Sequence, residues 1–338
     1  MSATGLRLFV RALSVAIGCS LVAACGHGSA PTTPAKPAAA PLHLGPLTDY
    51  VPAAGLRWML VGSPRQIAQS RVFAEALTLL LPPERLNAFA EGSGVDLRQV
   101  ESGVIAGFDL GTLYLVTPPR GASSSIVALF RERIISGEHH QFPHPELERV
   151  YGLIGTTPEL LVRANEHLIA VATRDPTLGR VVEAFARSRL KSSPPALRGA
   201  ALSTLSSPPK DAVATFYAPG PFAGEWARGA RGLLANALSL RISLVPIPPN
   251  RARFIVELAG DFPPSGADDL AEAFRDLGTS PLGKLLGLDQ EETPPSVHER
   301  AQRLLLEAEL EVAPIARGLR AAVVSDVWEI MQLDKPKQ

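Results

Sequence analysis

The stretch Glu138-His139-His140-Gln141-Phe142-Pro143-His144-Pro145-Glu146 gathers three of the seven histidines and two carboxylates. Imidazole and carboxylate ligate zinc or copper when a loop brings three of them to one point. The spacing here fits no helix face, and the two prolines predict an exposed, irregular excursion between strands. Solvated side chains are expected at His139, His140 and His144, with adventitious metal binding left open and no cofactor expected.

Other constellations each lack parts that their chemistry requires. Gly278-Thr-Ser-Pro-Leu-Gly283-Lys284-Leu285 fits G-x-x-x-x-G-K but lacks the following Ser or Thr that ligates magnesium, and a helix rather than a strand precedes it. Gly278 reads instead as a helix end and Ser280-Pro281 as the cap of the next helix. Ser207-Pro-Pro-Lys210 matches S-x-x-K, yet consecutive prolines in a connector are a poor helix start, and the companion S-D-N and K-T-G elements are missing. Glu307, Glu309 and Glu311 share one face of a strand, which predicts a wet sheet face with cross-strand partners such as Arg241 and Arg253. No catalytic residue is assigned, and the chain reads as a non-enzyme.

The one modification site is Cys25. Arg7 and Arg11 precede an apolar stretch from Ala12 to Leu21, long enough for a secretory leader and too short to span a bilayer. Then comes Val22-Ala23-Ala24-Cys25, where small residues let the backbone enter a protease groove and the cysteine offers a thiol. This resembles the lipobox of bacterial lipoproteins. The resemblance implies cleavage before Cys25, diacylation of its thiol and anchoring in the membrane, since two or three acyl chains hold where one does not. Gly26 stands where many inner-membrane lipoproteins carry Asp, which implies the outer membrane of the cell envelope over the inner.

Composition bounds the rest. Both cysteines, Cys19 and Cys25, lie in the first 25 residues, so no internal disulfide, thiolate zinc site or cysteine nucleophile is possible beyond them. Basic and acidic residues balance at 33 each, and the leader removes two of the basic ones. A slightly acidic chain with scattered arginines gives no electrostatic footprint for nucleic acid.

These features divide the chain into a leader over 1–24, a lipidated cysteine with a Pro/Ala-rich tether over 25–48, an N-terminal half over 49–195, a connector over 196–210, a C-terminal half over 211–333 and a tail over 334–338. The first half reads as a strand at Leu56–Val61, a helix opened by Ser63-Pro64, a short helix at Leu86–Phe89, strands at Val104–Phe108, Thr112–Val116, Ile126–Ile134, Arg149–Ile154, Glu159–Ala164 and Leu168–Thr173, and a helix after Asp175-Pro176. The second half reads as a strand at Ala212–Tyr217, a helix through Phe222 and Leu233, strands at Leu238–Val245 and Ala252–Leu258, and helices at Asp268–Leu277 and Pro281–Leu286. A strictly alternating strand at Leu304–Val312 and a terminal helix from Ile315 to Ile330 complete it. Both halves open strand–helix–strand–strand and close strand–helix. An α+β fold follows, with antiparallel sheets, helices on one face and a duplicated unit. Trp58, Trp226 and Trp328 fall on elements expected in the core.

The expected role is a non-catalytic binding or scaffolding domain held at the membrane through Cys25. The alternatives are a carrier of a hydrophobic ligand such as a lipid, and an envelope hydrolase assembled from distant residues. An apolar cavity open to solvent would favour the carrier, and a cleft with convergent His, Asp and Ser the enzyme.

Overall fold

A computed structural model describes residues 40–320, except 142, 143, 145, 190–192, 225, 281, 282, 285–287, 289–293 and 319. Cys25 and the lipobox-like residues before it, the far part of the expected terminal helix, Trp328 and most of Pro281–Leu286 lie outside the described residues. The fold is α+β, built on one twelve-stranded antiparallel sheet ordered β11-β12-β10-β9-β8-β1-β2-β3-β7-β6-β5-β4.

The first half supplies β1 (Leu56–Gly62), β2 (Gly103–Phe108), β3 (Thr112–Val116), β4 (Ser136–Gln141), β5 (Leu147–Ile154), β6 (Thr157–Ala164) and β7 (Leu168–Thr173). The second supplies β8 (Ala214–Pro219), β9 (Ala237–Ile247), β10 (Arg251–Gly260), β11 (Ser296–Arg300) and β12 (Arg303–Glu311). Each half runs its first three strands side by side, inserts a helix, and returns its last strand against the third: β7 beside β3, β12 beside β10. The first half differs by one added hairpin, β4–β5, at its outer edge. The halves meet where β1 pairs antiparallel with β8, Leu60 opposite Phe216. Duplication at the level of strand order is therefore present, with Leu56–Gly62 in the place that Ala214–Pro219 holds in the second half.

One row of paired residues crosses the whole sheet and shows how it is used. From the second half it runs Leu306, Val256, Ile242 and Phe216. It continues through Leu60, Ile105, Tyr114, Val171, Leu161 and Val150 in the first. Paired residues point to the same side, so these side chains define one face of the sheet. Their neighbours in sequence define the other, where Met59, Tyr217, Ala106, Leu113, Ala172 and Leu160 form part of one buried cluster.

Helices cover both faces, not one. Helix α5 (Thr177–Ala186) lies on the Leu160 side, where Gly179 lets it approach so closely that a Cβ there would stand 2.6 Å from Leu160. Residues 42–51 and the connector close the same side, through Leu42, Leu47, Tyr50, Ala196 and Leu202. The folded domain thus starts near residue 40, inside the expected tether, and the connector is packed. On the opposite side α4 (Ser123–Arg133) covers Leu161 and Val150, and α7 (Gly266–Thr279) covers Leu304 and Leu306. The segment expected as strand Ile126–Ile134 is this helix α4. Its branched residues suggested a strand, but Ile126, Val127 and Phe130 fall on one helical face and pack together.

Three further expectations change. The helix after β1 breaks into α1 (Pro64–Gln69), a 3-10 turn and α2 (Ala74–Leu80), followed by α3 (Pro83–Ser93). The helix through Phe222 and Leu233 is instead two 3-10 turns and the short α6 (Leu233–Asn236), interrupted by glycines. The terminal helix, expected from Ile315, starts at Val312 and places Ala316 against Val72, Phe73 and Ala76, while α7 covers Leu306 and Ala308.

Candidate functional site

The cross-sheet row is sealed at both ends and open in the middle. Leu306 and Leu161 are buried, whereas Leu60 is 37% exposed and Tyr114 is 42% exposed. The cause lies in where the first-half helices go. Segment α1–α2 leaves β1 and docks on the other half, with Val72, Phe73 and Ala76 against Ala252 and Val312. Helix α3 buries no residue, and its Phe89 is 48% exposed. Helix α4 lies over β5 and β6 and packs with Ile169 of β7. Between them a trough is left over β1, β2, β3 and β7.

This trough is a cavity of about 660 Å³. Leu60, Ile105, Tyr114 and Val171 make its floor, and Phe89, Val95, Ile126 and Phe130 its walls. The volume falls within the range of small-molecule sites, and the lining is almost wholly apolar. Beside it Trp58, expected in the core, stays 36% exposed and stacks on Phe216 at 6.3 Å between ring centroids. Gly107 makes that position available: a Cβ on it would meet the indole at 2.4 Å.

Two charges interrupt the apolar lining among the described residues, Arg133 and Glu159. Glu159 sits on β6, two residues before Leu161 and on the same face, directly opposite Thr173 of β7. Its carboxylate makes no hydrogen bond or ion pair among the described residues. Burial pushes its pKa up, because water no longer solvates the anion, and the Arg133 charge opposes that shift only in part. Arg133 ends α4, where a cation suits the helix dipole, and its guanidinium is exposed.

The residues singled out in the sequence come to other ends. Glu138, His139 and His140 lie on strand β4, not in a loop. His139 pairs with Glu148 at 3.0 Å, and the same carboxylate binds Arg163 at 3.0 Å and Arg131. His144 is buried; its Nε2 donates to the Ala40 carbonyl at 3.0 Å and its Nδ1 accepts from the Glu146 amide at 3.2 Å. The side chain of His140 lies outside the described residues, and among those described no cluster of three or more metal-ligating side chains occurs.

Gly278 is in the last turn of α7, and the Ser280 hydroxyl accepts the Gly283 amide at 3.0 Å, a local cap. Ser207 to Lys210 is not helical. Ser123 is fully buried, and its hydroxyl donates to the Glu166 carboxylate.

Glu309 finds Arg253 at 2.9 Å, as the strand pattern predicts. Arg241 does not face these glutamates. It lies on the other strand flanking β10 and makes a buried pair with Glu257 at 2.6 Å, both 2% exposed. Ser206 of the connector closes this pair, its amide and hydroxyl donating to the two Glu257 oxygens at 2.9 Å and 2.7 Å.

The trough itself was missed by sequence reasoning. The available signal was β1, Leu56-Arg-Trp-Met-Leu-Val-Gly62, which is apolar in both phases although only one face of it is fully covered. No protein-family model, curated protein or solved structure matches the chain.

Proposed function

We propose that the chain is a membrane-anchored envelope lipoprotein whose domain binds an acyl chain or similar apolar ligand in the central trough, without chemistry on it. The observation that carries this reading is the open, apolar cavity of about 660 Å³ over β1, β2, β3 and β7. A sheet floor with half-exposed Leu60 and Tyr114 is costly to leave in water and is stabilised by any apolar partner that fills it. Each buried methylene contributes roughly 0.8 kcal/mol, so ten of them supply a gross gain of about 8 kcal/mol. That is on the scale of micromolar binding before ordering costs, which favours long chains over short ones.

The anchor side of the proposal rests on Val22-Ala23-Ala24-Cys25. A lipidated Cys25 would hold the domain beside a supply of acyl chains, and Gly26 favours the outer membrane as the address. No catalytic residue, metal or nucleic-acid partner belongs to this reading.

The test is direct. The purified full-length protein should bind an environment-sensitive apolar fluorophore, long-chain acyl compounds should displace it, and Val171→Phe in the floor should abolish binding without unfolding the protein. A parent protein that binds no such probe and carries no co-purifying lipid by native mass spectrometry would remove the carrier reading. Cys25→Ser should release the protein from membranes, and failure of the native protein to incorporate a labelled fatty acid would remove the anchor.

A further inference from the structure

The polar corner of the trough holds two opposite charges that do not satisfy one another. Arg133 and Glu159 both line the cavity, and they attract through space. Neither makes an ion pair or a side-chain hydrogen bond among the described residues, so the guanidinium and the carboxylate stand beyond contact distance of one another. Glu159 is on β6, beside the floor strand β7, and half-buried; Arg133 is on the covering helix α4 and exposed. The one other ionisable group on the lining among the described residues is the Tyr114 phenol of β3.

Building on the apolar-ligand reading, we infer that the trough selects a single-chain amphiphile with a zwitterionic head, its anionic group on Arg133 and its ammonium on Glu159. The alternatives each leave a charge worse placed. A fatty acid would satisfy the guanidinium while bringing a second anion to an unpartnered, half-buried carboxylate. A cationic amphiphile would satisfy Glu159 and repel Arg133. A neutral head leaves the half-buried Glu159 carboxylate without a partner, and an unmet charge shielded from water is costly. The cavity volume lies mid-range for small ligands and suits one chain in preference to two. An ammonium on Glu159 would also reverse the upward pKa shift that burial imposes, so the head group binds more weakly in acid, when that carboxyl is protonated.

The experiment compares four amphiphiles of one chain length, each below its micelle threshold, for displacement of the fluorophore from the full-length protein. The four carry a phosphoethanolamine, a carboxylate, a trimethylammonium and a glycerol head. The phosphoethanolamine compound should bind roughly tenfold or more tightly than the carboxylate, the scale of one hydrogen bond to a charged group. In variants that still bind the fluorophore, Glu159→Gln should erase the preference over the carboxylate compound and Arg133→Gln the preference over the trimethylammonium compound, each to within about twofold, a difference of about 0.4 kcal/mol. Equal affinity for the phosphoethanolamine and carboxylate compounds overturns the inference, as does a preference that survives in both variants. If the fluorophore itself never binds, the apolar-ligand reading has failed; if it binds and the heads are not distinguished, only the present inference has.

Discussion

The two halves share a strand order and differ in what their helices do with it. In the second half, α7 and α6 lie over their own strands, so Leu306, Leu304 and Ala308 are closed from water. In the first, the segment after β1 crosses to the other half and packs α2 near Ala252 and Val312, leaving Leu60, Ile105 and Tyr114 under an open trough. The same sheet architecture thus makes a packed core at one end and a cavity at its centre. The difference comes from helix destination, not from the strands. A duplicated unit can acquire a site when one copy lends its cover to the other.

That contrast can be broken by mutation. The largest effect is expected beneath the closed half, at the buried pair of Arg241 and Glu257. Glu257→Ala strands a guanidinium that is 2% exposed and frees Ser206, and should cost about 3–5 kcal/mol in chemical denaturation. A loss under 1 kcal/mol would show that water reaches the pair.

Next come matched truncations along the one row. Leu306→Ala should cost about 2–5 kcal/mol, because its site is packed on every side, whereas Leu60→Ala should cost about 1 kcal/mol or less and weaken binding of the apolar probe. Equal costs would mean that the trough is closed in solution. Filling the trough sharpens the same point. Val171→Phe should leave the denaturation midpoint nearly unchanged, where overpacking a closed core costs about 1–3 kcal/mol.

Smaller still is the pH effect at Glu159. Its pKa in the folded protein stands above the ordinary glutamate value, so the native state binds the proton more tightly than the unfolded chain. Stability attributable to this group is therefore full in acid and falls as pH rises through the raised value. Glu159→Gln should raise the melting temperature at neutral pH, and the gain should vanish below the ordinary glutamate range. A gain that persists in acid would assign the effect to packing. The smallest change belongs to Glu309→Gln, which breaks a partly exposed pair with Arg253 and should cost on the order of 0.5 kcal/mol.

Much of the sheet was legible because a half-covered strand writes its register in alternation. In β12, Leu304, Leu306, Ala308 and Leu310 are buried while Glu309 meets Arg253, as the period of two requires. Short helices were less legible. The α4 segment is rich in branched residues, and only its packing against Val150 and Leu161 decides that Ile126, Val127 and Phe130 form a helical face. Strands β4 and β11 were invisible. They lie at opposite edges of the sheet, where few side chains are buried and the alternation of a core strand is lost.

The sequence by itself determined the alternation of the sheet strands, the absence of cysteine chemistry beyond residue 25 and the lipobox-like motif at Val22–Cys25, because each is a property of local residue order. Tertiary structure alone decided that Arg241 turns to Glu257, that His139 and His144 take separate partners, and that Arg133 and Glu159 share one apolar cavity. These associations, from His139 with Glu148 to His144 with the Ala40 carbonyl, join residues 9 to 104 positions apart through sheet register and helix docking. A cavity is the space left when covering elements go elsewhere, and no residue encodes that space locally.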